Sequence, residues 1–90
     1  MESSIYIGFI DGASRHTQNS TSAPWVIYTP AGQVLSSGGI CLQHSSNNVV
    51  EYSVVIELLR DAISHGVVVI ELLWDVSSHG VLSLEVHLDS

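Results

Sequence analysis

A tandem repeat of fourteen residues is the feature that most restricts how this chain can fold. Residues 54–67 read VVIELLRDAISHGV, and residues 68–81 follow directly as VVIELLWDVSSHGV, so that eleven of fourteen positions are identical. A small domain with a fixed order of strands has little space for an extra unit of this length. One copy therefore has to form additional structure beside the element that the other copy supplies.

The composition indicates one small globular domain over residues 1–90. The chain is 46% hydrophobic and 12% charged, whereas disordered chains are poor in apolar residues and rich in charge. Domains of this size bury only about 60% of the surface that they expose when unfolded, so we expect a small core. The apolar runs end well short of the roughly 20 residues that a membrane helix requires. We therefore expect no membrane partner.

The charge balance limits the partners that the domain can have. Nine acidic residues stand against Arg15 and Arg60, which gives a formal net charge of −7. A negative surface repels a nucleic-acid backbone, so a role on nucleic acid requires metal ions or a basic part outside these residues. The single cysteine, Cys41, has no partner for an internal disulfide, and the chain begins without the cationic segment of a signal peptide. These features predict an intracellular setting, without separating cytoplasm from nucleus.

The first half of the chain has the pattern of strands. Both alternating sets of side chains in residues 5–10 are mostly apolar, which is typical of a central strand covered on both faces. A long polar loop then leads to a hairpin formed by residues 25–29 and 34–42. Within that hairpin, Gly38 and Gly39 predict a bulge or a bend. The pattern therefore predicts three antiparallel strands.

A helical pattern follows the hairpin. It predicts a helix over about residues 49–65, ended by Gly66. The polar side chains of its outward face are Ser53, Glu57, Arg60 and Ser64. Glu51 lies in the first turn on the opposite, apolar face, where a carboxylate is costly unless something compensates its charge. Either the positive end of the helix dipole or a partner across the interface with the sheet accounts for its position.

Three motifs, taken in order, resemble type 1 ribonuclease H. They are DGAS at residues 11–14, NNVVEY at residues 47–52 and LEVHLDS at residues 84–90. The chain resembles in particular the ribonuclease H domains of plant retroelement polyproteins, whose helix opens with a related Asn-Asn-x-x-Glu-Tyr. The resemblance implies an α/β fold with a mixed sheet, in which three antiparallel strands precede a helix and a parallel fourth strand.

The resemblance also implies a metal site. Asp11, Glu51 and Asp89 match the first three metal-binding carboxylates of the family, with Asp75 as the alternative to Asp89. In such enzymes two divalent ions, Mg²⁺ or Mn²⁺, are held by carboxylates and promote hydrolysis of the RNA strand of an RNA–DNA hybrid. The acidic character of the chain is consistent with a function that requires cations.

The resemblance further assigns contacts with nucleic acid. Gly12, Ala13 and Ser14 match the segment that lies beside the RNA strand, and Asn48 matches a position that contacts the hybrid. Contacts with the 2′-hydroxyl distinguish RNA from DNA. The expected partner is therefore an RNA–DNA hybrid.

The repeat makes the third carboxylate ambiguous. Asp75 lies 24 residues after Glu51, close to the spacing in the family, but only Asp89 is followed by serine as the family motif requires. The motif favours Asp89, which places the parallel strand near residues 83–88. Residues 68–78 then form extra structure, for which the helical pattern of the first copy favours a second helical piece.

The resemblance ends at Ser90, before the fourth carboxylate, the fifth strand and the later helices of the family. It therefore predicts a truncated domain that lacks the C-terminal half of the fold and is weakly active or inactive. Two alternatives remain open at this point. The chain could be a non-catalytic interaction module, or a degenerate fragment of a retroelement.

Overall fold

Six strands and one helix make up the part of the chain that the structure describes. This computed structural model describes residues 5–10, 15–17, 20–43, 47–76 and 80–88. In chain order the elements are β1 (Tyr6–Ile10), β2 (Arg15–Thr17), β3 (Ser20–Tyr28), β4 (Val34–Gln43), α1 (Asn47–Ser64), β5 (Val69–Val76) and β6 (Gly80–His87).

The strands form one mixed sheet with β1 in a central position. β3 pairs antiparallel with β4 along one edge, and with β1 and the short β2 along its other edge. β5 runs parallel to β1 on the side away from β3, and β6 pairs antiparallel with β5. The expected arrangement of three antiparallel strands, a helix and a parallel strand is therefore confirmed. A parallel neighbour for β1 is possible because α1 carries the chain back across the sheet.

The helix begins two residues earlier than expected and ends one residue earlier. Its end is a Schellman motif, in which the Gly66 amide donates to the Ile63 carbonyl and the Val67 amide donates to the Ala62 carbonyl, each at 3.0 Å. Gly66 takes a left-handed conformation with φ of 76°, which a residue without a Cβ adopts at little cost. After Gly66, only Val67 and Val68 precede the first residue of β5.

The core lies between α1 and one face of the sheet. Its fully buried side chains on the helix are Val50, Val54, Leu58 and Ala62, which recur every four residues and so form one stripe. The sheet contributes Ile10, Ala23, Trp25, Ile27, Ile70 and Leu72. Gly8 lets the helix approach β1 closely, since a Cβ at that position would lie 2.9 Å from Leu58 Cδ2.

The other face of the sheet differs from the expectation for β1. Ile10 is buried under α1, but Phe9 points to the opposite face and is exposed. Among the described residues, no second layer packs on that face. The prediction that β1 is a central strand is confirmed, whereas the prediction that both of its faces are covered is wrong for the described part of the chain.

The two copies of the repeat adopt different secondary structures. The sequence VVIELL is helical at residues 54–59 and lies mostly in β5 at residues 68–73. The prediction of a second helical piece at residues 68–78 is therefore wrong. After Gly66 the chain returns directly to the sheet, and burial of Ile70 and Leu72 against α1 outweighs the helical preference of the sequence.

The parallel strand is therefore the second copy of the repeat, and not residues 83–88 as expected. Residues 83–87 lie in β6, which pairs antiparallel with β5 and is separated from β1 by it. The earlier segment takes the position beside β1 because it follows the helix with a connection of only four residues. The later segment then extends the sheet through a hairpin.

Two smaller expectations for the hairpin of β3 and β4 are also corrected. The polar segment before Pro24 is largely strand, since β2 and the beginning of β3 pair with each other. The irregularity in the pairing of β3 with β4 lies between Ile27 and Tyr28, and not at the glycines. Gly38 instead makes space for an aromatic ring, because a Cβ there would lie 2.7 Å from the Trp25 indole.

Candidate functional site

The end of β1 is the place where the sequence motifs and the sheet coincide. β1 and β5 are parallel and in register, with Tyr6 opposite Ile70 and Ile10 opposite Trp74. Asp11 follows Ile10 in the chain, and Asp75 follows Trp74. Neighbouring strands of a sheet lie about 4.8 Å apart. The pairing therefore aligns the last residue of β1 with the residue that precedes Asp75.

Asp75 itself is part of β5, where its backbone is opposite Val81 of β6. Asp11 lies outside the described residues, as do the side chain of Asp75 and the segment Gly12–Ser14. The predicted roles of Asp11 and of that segment therefore remain predictions.

Glu51 lies at the end of α1 that is nearest to the end of β1. The last turn of the helix leads directly into the beginning of β5, which is level with the beginning of β1. The first turn of the helix is consequently directed toward the other end of these strands. Glu51 lies just after the first turn, and not in it as expected, because the helix begins earlier than predicted. It is half-buried, and its neighbour Val50 belongs to the same core as Ile10. Among the described residues, the Glu51 carboxylate has no hydrogen bond or ion pair.

The structure does not bring the strand that precedes Asp89 to this end of the sheet. Asp89 is outside the described residues, but the Leu88 amide donates to the Val68 carbonyl at 2.6 Å. Val68 precedes β5, whereas Asp75 lies near its end, and the rise between Val69 and Asp75 is about 20 Å at the usual rise per strand residue. The prediction that Asp89 follows the strand parallel to β1 is therefore wrong. That strand is β5, and Asp75 lies near its end.

Asn48 lies in the first turn of α1, close in sequence to Glu51. Its side chain is outside the described part of the structure, so its predicted contact with a hybrid also stays a prediction. Both residues nevertheless belong to the helix end that is directed toward the end of β1.

A polar cluster that sequence reasoning did not single out lies on the exposed side of the β5–β6 hairpin. Glu71 is directly opposite Glu85. The Ser83 hydroxyl donates to Glu71 Oε1 at 2.8 Å, and His87 Nε2 lies 2.9 Å from Glu85 Oε1. Glu71 and Glu85 are brought together by the antiparallel register of the hairpin, for which the sequence reasoning had no signal. The cluster faces away from α1 and is separate from the end of β1.

Neither a complete metal site nor a basic surface is present in the part of the chain that the structure describes. No group of three or more histidine, cysteine or acidic side chains is close enough there to hold a metal ion. Arg60 is exposed and lies 3.7 Å from Glu57 on the same helix. Among these residues, no helix is long and apolar enough to cross a membrane.

The residues named for the site fit a hard divalent cation in their chemistry. Mg²⁺ and Mn²⁺ prefer carboxylate oxygens, and Asp11, Glu51 and Asp75 supply only such ligands. The described geometry contributes the half-buried Glu51 carboxylate, which has no other partner among the described residues and lies just after the first turn of α1. This donor set is suited to magnesium or manganese rather than to zinc.

The order of strands, the single helix across them and the parallel pair β1–β5 define a ribonuclease H-like domain. The chain belongs to the family described as reverse transcriptase-like, whose sequence profile matches residues 9–88.

Two comparisons with an archaeal relative support the fold assignment. The chain is 33% identical over 58 residues to ribonuclease HI of Halobacterium salinarum. The crystal structure of RNase H1 from Halobacterium salinarum NRC-1 superposes with a TM-score of 0.68 at 25% identity and covers 81% of this chain. The matches cover 29% of the length of the curated relative and 55% of the solved chain.

Proposed function

We propose that this domain binds an RNA–DNA hybrid and uses divalent metal to hydrolyse its RNA strand slowly. The in-register pairing of Ile10 with Trp74 carries the proposal, since it supports a site in which Asp11 and Asp75 extend from the same end of two neighbouring strands. Glu51, on the helix end directed to the same place, is the third ligand. The names of the similar proteins, ribonuclease HI and RNase H1, give the substrate class.

In this assignment Asp75 replaces Asp89 as the third carboxylate. The sequence motif favours Asp89 through its following serine, but the observed sheet favours Asp75 through the strand that it belongs to. Asp89 could join the same site only if residues 83–88 took the position of β5. That exchange would remove Ile70 and Leu72 from the core, where both are buried, and buried aliphatic side chains contribute about 1.5–3 kcal/mol each.

The carboxylates have a defined electrostatic role. When bound, Mg²⁺ or Mn²⁺ supplies the positive charge that offsets the scissile phosphate and activates water. Asp11, Glu51 and Asp75 would bind that ion, and their mutual repulsion is relieved when it is present. Because the chain has a net charge of −7, the ion also compensates the repulsion between the protein and the hybrid.

Recognition of the hybrid is assigned to the residues beside this end of the sheet. Gly12, Ala13 and Ser14 follow Asp11 and are proposed to contact the RNA strand, where a 2′-hydroxyl is available for hydrogen bonding. Asn48 is proposed to contact the hybrid from the first turn of α1, three residues before Glu51. We also propose that the domain derives from a plant retroelement.

We expect slow cleavage because the 90 residues match only 55% of the solved relative. The fourth carboxylate that the family resemblance implies is not among the residues matched here, so this expectation applies to these 90 residues assayed on their own. A loss of charge stabilisation of about 3 kcal/mol lowers a rate roughly hundredfold. Because the chain contains only two lysine or arginine residues, it can make few contacts with phosphates, and we expect hybrid binding to be weak.

The test is a labelled RNA–DNA hybrid incubated with the chain in Mg²⁺ or Mn²⁺, beside the Asp11→Asn and Asp75→Asn variants. Glu57→Gln is the matched control, because Glu57 is an exposed carboxylate on the outer side of α1. Slow cleavage that both aspartate variants abolish, and that the control retains, supports the proposal. Absence of both binding and cleavage would contradict it.

A non-catalytic interaction module is the second candidate. The observation that favours it is the charge, since the whole chain contains two lysine or arginine residues against nine acidic residues. In that case metal would still stabilise the fold, but the hybrid would remain uncut in both ions. The same assay therefore separates the two candidates.

A further inference from the structure

Strand β6 has an apolar face that the observed fold covers only in part. Leu84 pairs with Leu72 of β5, so it lies on the side of the sheet that α1 covers. Val86 pairs with Ile70 and lies on the same side. Ile70 and Leu72 are fully buried, whereas Leu84 is 52% exposed and Val86 is half-buried. The alternate positions of β6 are polar, namely Ser83, Glu85 and His87. β6 thus has the alternation of a strand with one buried face, in a place that leaves this face partly exposed.

The same apolar pattern stands fourteen residues earlier, in β5. Both segments follow the same four residues, Ser-His-Gly-Val, at 64–67 and at 78–81. The inner side chains of β5 each have an apolar counterpart, in which Ile70, Leu72 and Trp74 correspond to Leu84, Val86 and Leu88. Exchange of isoleucine for leucine keeps the volume, and exchange of leucine for valine removes one methylene, so a core tolerates both. Residues 83–88 are therefore suited to the position beside β1.

The residues between these two segments are able to continue the helix. VVIELL is helical at residues 54–59, so the identical residues 68–73 are competent to form the same structure. In the observed fold α1 ends because Gly66 takes a left-handed conformation. Gly80 stands in the same Ser-His-Gly-Val sequence as Gly66. The signal that ends the helix therefore occurs twice, each time directly before a segment that suits the strand beside β1.

We propose that the chain has a second register, in which α1 continues to Gly80 and residues 83–88 replace residues 69–74 beside β1. Two packings of one sequence can differ little in free energy. The exchange shifts the pairing with β1 by the fourteen residues of the repeat, and an even shift keeps each side chain on its face of the sheet. Asp89 then follows the strand beside β1 and takes the place in the chain order that Asp75 has in the observed register. The inference goes beyond the proposed nuclease function and does not rest on it.

The observed register is the more populated of the two. It pairs the backbone of β5 on both sides, with β1 and with β6, whereas the second register contains no strand in the place of β6. The longer helix also extends about 21 Å beyond Ser64 at the usual rise per residue, where the sheet no longer covers its inner side. The second register is therefore a minor state of the wild-type chain.

Gly66 controls the balance between the two registers. Its φ of 76° strains a residue with a Cβ, so Gly66→Ala disfavours the observed register. Alanine is also a better helix former than glycine, so the same change favours the longer helix. Each effect is about fivefold in an equilibrium constant, and we expect the second register to rise at least tenfold. Gly32→Ala is the matched control, because Gly32 has a φ of 86° in the turn between β3 and β4. At neither glycine would a Cβ meet a described heavy atom within 4 Å.

The first test traps the second register with Ile7→Cys and Glu85→Cys in a Cys41→Ser background. In the observed register β5 lies between these two positions. In the second register they are directly opposite, since Glu85 takes the place of Glu71. The initial rate of internal disulfide formation, measured by mass spectrometry, should rise at least tenfold with Gly66→Ala and stay at the parent level with Gly32→Ala. Equal rates in the two alanine variants overturn the proposal.

The second test makes β5 unfit for the core. Ile70→Asp with Leu72→Asp places two carboxylates at buried positions, which the observed register does not tolerate. We expect this variant to keep a cooperative urea transition and to gain helical circular dichroism, because residues 83–88 replace β5. Leu84→Asp with Val86→Asp should leave the wild-type chain folded, and the four changes together should unfold it. A double variant at Ile70 and Leu72 that is unfolded overturns the proposal. Neither test involves metal or nucleic acid, so the outcome is separate from that of the nuclease assay.

Discussion

Ile10 of β1 and Trp74 of β5 are directly paired in parallel strands, and each immediately precedes an aspartate in the chain. This relationship connects the fold to the proposed chemistry. Two parallel strands that are in register end on the same side of the sheet. The residues that directly follow such strands are therefore expected to lie close together. An antiparallel pair of the same two segments would separate Asp11 from Asp75 by the length of the strand.

Metal should stabilise the chain through Asp75 and not through Asp89. A ligand at ten times its Kd stabilises the native state by about 1.4 kcal/mol, which raises the Tm of a domain of this size by several degrees. We expect Mg²⁺ or Mn²⁺ to produce such a shift in wild type and Asp89→Asn, and to produce none in Asp75→Asn. Differential scanning fluorimetry measures it, with Glu57→Gln as the surface control. A shift lost only in Asp89→Asn would assign the third ligand to Asp89 instead.

The identity of the strand beside β1 can be tested with paired cysteines in a Cys41→Ser background. Ile7 is opposite Glu71 in the observed register, so Ile7→Cys with Glu71→Cys should oxidise to an internal disulfide. Glu85 lies one strand further away, at about 10 Å for two strand spacings. Ile7→Cys with Glu85→Cys should therefore remain reduced. Mass spectrometry under mild oxidation distinguishes the two, and the reverse result would place residues 83–88 beside β1.

Leu58→Ala should be strongly destabilising. The Leu58 side chain is fully buried between α1 and the sheet, and truncation of such a residue typically costs about 2–5 kcal/mol. Leu84→Ala makes the same chemical change at an exposed position of β6, and we expect it to cost about 0.5 kcal/mol or less. Urea unfolding followed by circular dichroism gives both free energies of unfolding. Equal losses at the two sites would contradict the observed core.

Gly8→Ala should destabilise the same interface by adding volume. The new Cβ would lie 2.9 Å from Leu58 Cδ2 and 3.0 Å from Leu72 Cδ2, and overpacking of a core usually costs about 1–3 kcal/mol. Because the nearest obstacle is the Leu58 side chain, the cost of Gly8→Ala should be smaller in a Leu58→Ala background. A double-mutant cycle from urea unfolding measures this coupling. Strictly additive losses would show that the two residues are not in contact.

Much of the architecture was accessible from local pattern. The run of residues 5–10 predicted a central strand, and the helical period predicted that α1 packs one face on the sheet, although the buried stripe includes Val50 and Val54, which the sequence reasoning did not name. Gly66 predicted the end of the helix because only its left-handed conformation closes the final turn without strain. Each of these features depends on the residue itself or on neighbours within one turn or one strand.

The placement of the two repeat copies was decided by tertiary structure alone. VVIELL has the same local preferences at residues 54–59 and 68–73, yet it forms helix in one place and mostly strand in the other. The environment of the second copy makes the difference. Beside β1, the side chains of Ile70 and Leu72 are buried, and the backbone of β5 pairs with β1 on one side and with β6 on the other. By itself the sequence determined that the segments after Gly66 and after Gly80 are alternatives for the strand beside β1. The short connection after Gly66 decided which of them forms it, because it brings Val69 to the sheet first.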